Sequence, residues 1–108
     1  MVAKNPFELV YDEEVIHHLG AIERKHHSLI RQTIEQQLKY EPDVKTRNRK
    51  PLSGSTEFGE NTWEIRFGPG NRFRVFYRVD TTEREVRILA MGVKIKNELW
   101  IGGERYEL

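Results

Sequence analysis

A chain of 108 residues is the length of one ordinary domain, and it contains no cysteine, which excludes disulfides, zinc–thiolate centres and cysteine nucleophiles. The formal net charge is only +1, yet residues 44 to 78 carry eight basic side chains (Lys45, Arg47, Arg49, Lys50, Arg66, Arg72, Arg74 and Arg78) against three acidic ones (Glu57, Glu60 and Glu64), a local balance of +5 that the rest of the chain conceals. No stretch approaches the roughly 18 apolar residues of a membrane span, and MVAKNPFELVYDEE lacks the apolar run of an export signal, so a soluble, cytoplasmic protein without a membrane partner is expected, as one domain over residues 1–108.

In chain order, Phe7, Leu9 and Tyr11 alternate along a first strand over 6–11. Asp12 is placed to cap a helix that carries Val15, Leu19 and Ile22 on one stripe. A second helix over 26–40 repeats Ile30, Ile34 and Leu38 at fourfold spacing, and Glu41-Pro42-Asp43 ends it, because the residue before proline is pushed out of helical geometry. The connection from Val44 to Asn61, which includes TRNRKPLSGSTEFGEN, is long, rich in turn residues and basic at its start. Long connections in small domains are often functional.

Three strands follow, over about 62–68, 72–80 and 84–94, joined by GPGN and TTE at hairpin length. Period-two alternation sends Trp63, Ile65, Phe67, Phe73, Val75, Tyr77 and Val79 to one side, the core under the helices. Glu64, Arg66, Arg72, Arg74, Phe76 and Arg78 then point to the other. Four arginines around a phenylalanine suit phosphate contacts with an aromatic for a base, and equally an ordinary solvated sheet face.

His17-His18 and His26-His27 are adjacent pairs on helices. Neighbouring helical positions point about 100° apart, so neither pair presents two ligands to one ion, and no metal site is expected. GPGN lacks a following helix or a GKS element and reads as a hairpin turn rather than a phosphate cradle.

The order of strand, two helices, basic connector and three-stranded meander resembles the RelE/ParE superfamily of bacterial type II toxin–antitoxin toxins. The elements that carry the likeness are KPLSG, then WEIRFGPGNRFRVFYRV, then ILAMGVKIKNELW. The resemblance implies an α+β fold in which a helical hairpin packs on a twisted, mostly antiparallel sheet of about four strands, in the order β-α-α-β-β-β. It further implies an endoribonuclease without a metal or other cofactor, acting on mRNA at the ribosome and restrained by a cognate antitoxin protein. Two other functions stay open: a DNA gyrase poison of the superfamily's other branch, and an RNA- or partner-binding domain without catalysis.

By that resemblance, Arg74 in FRVFY occupies the position used against the scissile phosphate, Arg66 in EIRF a basic position one strand earlier, and Lys94 in GVKIK the basic position after the last strand. Trp100 stands in place of a tyrosine and Glu64 in place of a lysine. Glu64, or a lysine with a lowered pKa, is then the candidate base for the 2′-hydroxyl, while Arg66 and Arg74 answer the charge growing on the phosphate. Lys45, Arg47, Arg49, Lys50, Arg72, Phe76, Arg78, Lys96 and Trp100 are the candidate RNA contacts, with Trp100 read either as a stacking surface or as packing beneath the C-terminal IGGERYEL.

Overall fold

A computed structural model describes residues 5–54 and 56–107. Strand β1 (Glu8–Tyr11) leads into helix α1 (Glu14–Gly20), a short 3-10 turn (Arg24–His26) and helix α2 (His27–Leu38). Strands β2 (Arg49–Pro51), β3 (Trp63–Phe67), β4 (Phe73–Asp80), β5 (Glu85–Ile95), β6 (Glu98–Ile101) and β7 (Glu104–Tyr106) complete the described chain. They form one sheet in the order β2-β3-β4-β5-β6-β7, antiparallel throughout, while β1 runs parallel to the first half of β5.

The α+β arrangement agrees with the sequence; the strand count does not. Seven strands are present among the described residues rather than about four. The connector contributes β2, which pairs Lys50 with Glu64, and the C-terminal segment folds into the β6–β7 hairpin around Gly102 and Gly103, both with positive φ. β2 and β7 are three residues each, too short for alternation to mark, and β6 follows β5 after a turn at Lys96 and Asn97 that carries neither glycine nor proline. Asp12 also departs from expectation. Glu13 holds the cap position of α1 without a side-chain bond, and the Asp12 carboxylate lies 3.9 Å from Arg87 instead.

The principal core lies between the helices and one sheet face, where Val15, Ile22, Ile30, Ile34 and Leu38 meet Ile65, Phe67, Phe73, Val75 and Tyr77. The fourfold spacing on α2 places all three of its apolar side chains inward. Tyr77, fully buried, donates its hydroxyl to the Pro42 carbonyl at 2.8 Å and so ties the end of the α2 segment to the sheet. Arg49 is buried on this same side, and its guanidinium donates to the Gln37 carbonyl in the last turn of α2. A cation there satisfies an orphan carbonyl and faces the negative end of the helix.

The opposite face is not the open surface that alternation suggests. Phe76, Ala90 and Ile101 are buried there beneath Leu52, Phe58, Leu99 and Tyr106, which come from the connector and the C-terminal hairpin. The register of β4 and β5 shifts between Phe76 and Tyr77, which pair with Ala90 and Ile88 and leave Leu89 as the extra residue. Beyond this bulge the alternation of β5 inverts, so Met91 and Val93 join the helix side and Lys94 faces the other way.

Candidate nucleic-acid interface

Arg66 and Arg74 stand directly opposite each other on β3 and β4, and Gly92 is the partner of Arg74 on β5. Two residues further along β5, Lys94 emerges on the same face, exposed to solvent. Three adjacent strands therefore present two guanidinium groups and an amine to one region. Like charges directly across a strand pair repel. Glu64 offsets part of that repulsion: it is buried, and its carboxylate lies 3.4 Å from Arg74 Nη1. Arg74 Nε also donates to the Asn71 carbonyl at 3.1 Å, so the guanidinium is held at both ends.

A cleft of about 470 Å³ opens beside this group, with Arg74, Lys94, Leu99, Arg105 and Tyr106 in its walls together with two carboxylates, Glu98 and Glu107. Tyr106 was not expected from the sequence. It pairs with Leu99 across β6 and β7 and stacks on Phe58 with ring centroids 6.2 Å apart, which leaves it half-buried in the cleft wall. Its place depends on a three-residue strand that sequence periodicity does not reveal.

Several expected contacts lie elsewhere. Phe76 is fully buried and stacks on Phe58 at 5.0 Å, so it offers no surface to a base. Arg49 serves the end of α2. Arg78 is half-buried and donates to the Phe58 carbonyl at 2.7 Å, which pins the connector over the sheet. Arg72 precedes β4 and faces away from the Arg74 cleft, its guanidinium 5.9 Å from the centre of the Phe73 ring. Trp100 pairs with Val93 and so points to the helix side, away from Arg74. Lys45, Arg47, Lys50 and Lys96 are exposed, Lys50 directly across from Glu64 and Lys96 in the β5–β6 turn.

Three of the four histidines have packing or hydrogen-bonding partners of their own, and the fourth, His17, lies with its ring 6.3 Å from that of His18. The backbone N–H of Met91 donates to His18 Nδ1 at 3.3 Å, and burial holds the His18 pKa below the ordinary 6.5. His27 Nε2 donates to the Ile22 carbonyl at 2.7 Å. His26 packs on Phe73 with ring centroids 5.0 Å apart. No three His, Asp or Glu side chains converge on one point among the described residues.

No family model matches the chain, and no curated protein does. Among solved structures, a chain of the toxin–antitoxin complex RelBE2 from Mycobacterium tuberculosis superposes with a TM-score of 0.63 and 23% identity, over 80% of this chain and 95% of that one. At this identity the likeness shows the fold, and it agrees with the resemblance read from KPLSG, WEIRFGPGNRFRVFYRV and ILAMGVKIKNELW: the chain has a RelE-type toxin fold.

Proposed function

We propose that this chain is the toxin of a type II toxin–antitoxin module and an endoribonuclease whose target is mRNA on the ribosome, in the cytoplasm, held in check by an antitoxin protein. The observation that carries the reading is the placement of Arg66, Arg74 and Lys94 on one face of three neighbouring strands, with Tyr106 in the cleft that Arg74 and Lys94 line. Cleavage begins when the 2′-hydroxyl loses its proton and its oxygen attacks the adjacent phosphorus. The 5′-oxygen leaves and takes up a proton, which gives a 2′,3′-cyclic phosphate and a 5′-hydroxyl end. Negative charge grows on the phosphate between those events, and fixed guanidinium groups stabilise it by paired hydrogen bonds.

In this reading Glu64 is a positioning residue. It is buried behind Arg74, so its carboxylate orients the guanidinium and does not reach a substrate proton. Lys94 and Tyr106, which line the cleft together with Glu98 and Glu107, are the residues this reading assigns to exchange protons with the two ribose oxygens, Glu98 being paired with Arg105 at 3.2 Å. The same ion pair is the specific observation behind a second reading, an RNA- or partner-binding domain without catalysis, since Arg74 already has an anionic partner. Induced expression with mapping of RNA 5′ ends, alongside a gyrase cleavage assay, tests the proposal. Growth arrest with new 5′-hydroxyl ends inside reading frames is expected. Double-strand DNA breaks without new RNA ends would overturn it in favour of the gyrase-poisoning branch.

A further inference from the structure

Trp100 is 36% exposed and stands on the side of the sheet opposite Arg74, where the cutting chemistry gives it no task. Beside it lies a second cleft, of about 570 Å³, between the end of α1, the Pro69-Gly70 turn and the Gly102-Gly103 turn. Trp100, His26, Arg72 and Lys94 are in its walls, together with one carboxylate, Glu23. The volume is that of an ordinary small-ligand site. Gly70 and Gly103 have positive φ and open space where a β-carbon would stand, so at both turns the wall includes bare backbone that a flat ring can approach, whereas Gly102 is backed by the His17 and His18 rings. The His26 ring is fixed against Phe73, and Arg72 is exposed beside it. Lys94 lines this cleft and the Arg74 cleft alike, so the two meet at the end of β5.

We propose that the helix-side cleft is a second RNA subsite, which holds an unpaired nucleotide flanking the one at Arg74. Its base lies against Trp100, and its phosphate is met by Arg72 and Lys94. The inference rests on the RNA-cutting reading and adds to it a site for the neighbouring nucleotide. An indole and cations around a concave surface are the usual means of holding single-stranded RNA without reading its sequence, because every base has a π-face. A short strand that rounds the end of β5 at Lys94 reaches both clefts, whereas a dinucleotide engages the Arg74 cleft alone.

The test uses 2′-O-methyl dinucleotides and tetranucleotides, which lack the attacking hydroxyl and are not cut. The chain has two tryptophans, and Trp63 is half-buried and stacked on Tyr77, so an RNA-dependent change in fluorescence reports Trp100, with Trp100→Phe as the blank. The tetranucleotide is expected to bind about tenfold tighter than the dinucleotide and to quench Trp100. Trp100→Ala removes that advantage, and Arg72→Gln reduces it and flattens its salt dependence. If the wild-type chain binds the tetranucleotide and Arg74→Lys weakens it, while Trp100→Ala and Arg72→Gln leave the advantage intact, the subsite is refuted and the RNA-cutting reading survives. Failure of the wild-type chain to bind either oligonucleotide overturns the subsite, while the mapping of RNA 5′ ends decides the RNA-cutting reading separately. Should Trp100→Ala not fold, the wild-type quenching and Arg72→Gln decide, since Arg72 is exposed and its truncation spares the core.

Discussion

Arg74 Nη1 lies 3.4 Å from the Glu64 carboxylate, with the two side chains 12% and 4% exposed, so the central cation of the candidate site is also half of a nearly buried ion pair. Its removal is therefore not a surface change. Arg74→Ala strands a carboxylate away from water and is expected to cost about 3 kcal/mol, a loss that Glu64→Gln in the same chain largely restores. Urea unfolding of both single variants and the double variant measures this directly. Near-neutral behaviour of Arg74→Ala would show that the pair contributes nothing. For functional work Arg74→Lys is the better probe, because it keeps the charge and loses the forked geometry.

Tyr77 sets the alkaline limit. Its hydroxyl is buried and bonded to the Pro42 carbonyl, and burial raises its pKa far above the ordinary 10.0, with Arg49 opposing the shift and Asp43 adding to it. An acid whose folded pKa is raised keeps its proton in the native state longer than in the unfolded chain. Its contribution is complete below pH 10 and declines as pH rises beyond that value. Tyr77→Phe should cost about 1 kcal/mol at neutral pH and remove part of the stability loss above pH 10. Chemical denaturation at pH 8 to 11 gives both quantities, and parallel curves for the two proteins would rule out this role.

Much of this arrangement was legible in the sequence, and what was not has a common physical cause. The fourfold stripe of α2 and the alternation of β3 and β4 are local periodicities, and Ile34, Ile65, Val75 and Tyr77 lie where those periods put them. Period-two alternation puts Phe76 on the correct side of β4 but not in a core, because its cover, Phe58 and Tyr106, arrives from distant segments. Arg49 read as one more surface cation, since only the fold brings it to the end of α2. Lys94 faces Arg74 only because Leu89 is bulged; an unbroken alternation from Val86 and Ile88 would have turned it toward the helices. The proposed function rests on motif resemblance, which no periodicity contains.

His18 should set the acid limit. It is buried where α1 meets β5, its Nδ1 accepts from the Met91 N–H, and burial lowers its pKa, with Glu14 and Asp12 opposing the shift and His17 reinforcing it. A protonated Nδ1 would face a donor with a donor. The unfolded chain takes up the proton first, so the stabilisation is complete above about pH 6.5 and is lost as pH falls from there through the lower native value. His18→Asn keeps an acceptor without a titration and is expected to flatten the fall in stability between pH 7 and 5. An unchanged slope would assign the acid sensitivity to other groups.

Gly92 tests the link between packing and site. A β-carbon there would come within 2.8 Å of the Trp100 carbonyl oxygen and 2.9 Å of Ile101 Cγ1, and the backbone of β6 cannot give way without moving the hairpin that carries Tyr106. Gly92→Ala is expected to destabilise by about 1–3 kcal/mol through overpacking. Activity should fall at temperatures where the protein is still folded, because the cleft is displaced before the core fails. Thermal melts and cleavage assays on the same preparation separate the two effects. Full activity in a destabilised Gly92→Ala chain would detach the hairpin from the site.

Lys94 and Tyr106 share a cleft and differ in how much structure each supports, which makes them the cleanest pair for the chemical step. Lys94 is exposed, so Lys94→Gln should shift stability by no more than about 0.5 kcal/mol. Tyr106→Phe keeps the ring that stacks on Phe58 and removes only the hydroxyl. If both groups exchange protons with the ribose oxygens, each variant loses about 10²- to 10⁴-fold in cleavage rate at an unchanged melting temperature. Their contributions are coupled, since a base without its acid leaves the other step limiting. The double variant should then fall well short of the product of the two single losses. A Tyr106→Phe chain that cuts at the wild-type rate would leave Lys94 as the cleft's proton carrier and reduce Tyr106 to a wall of the site.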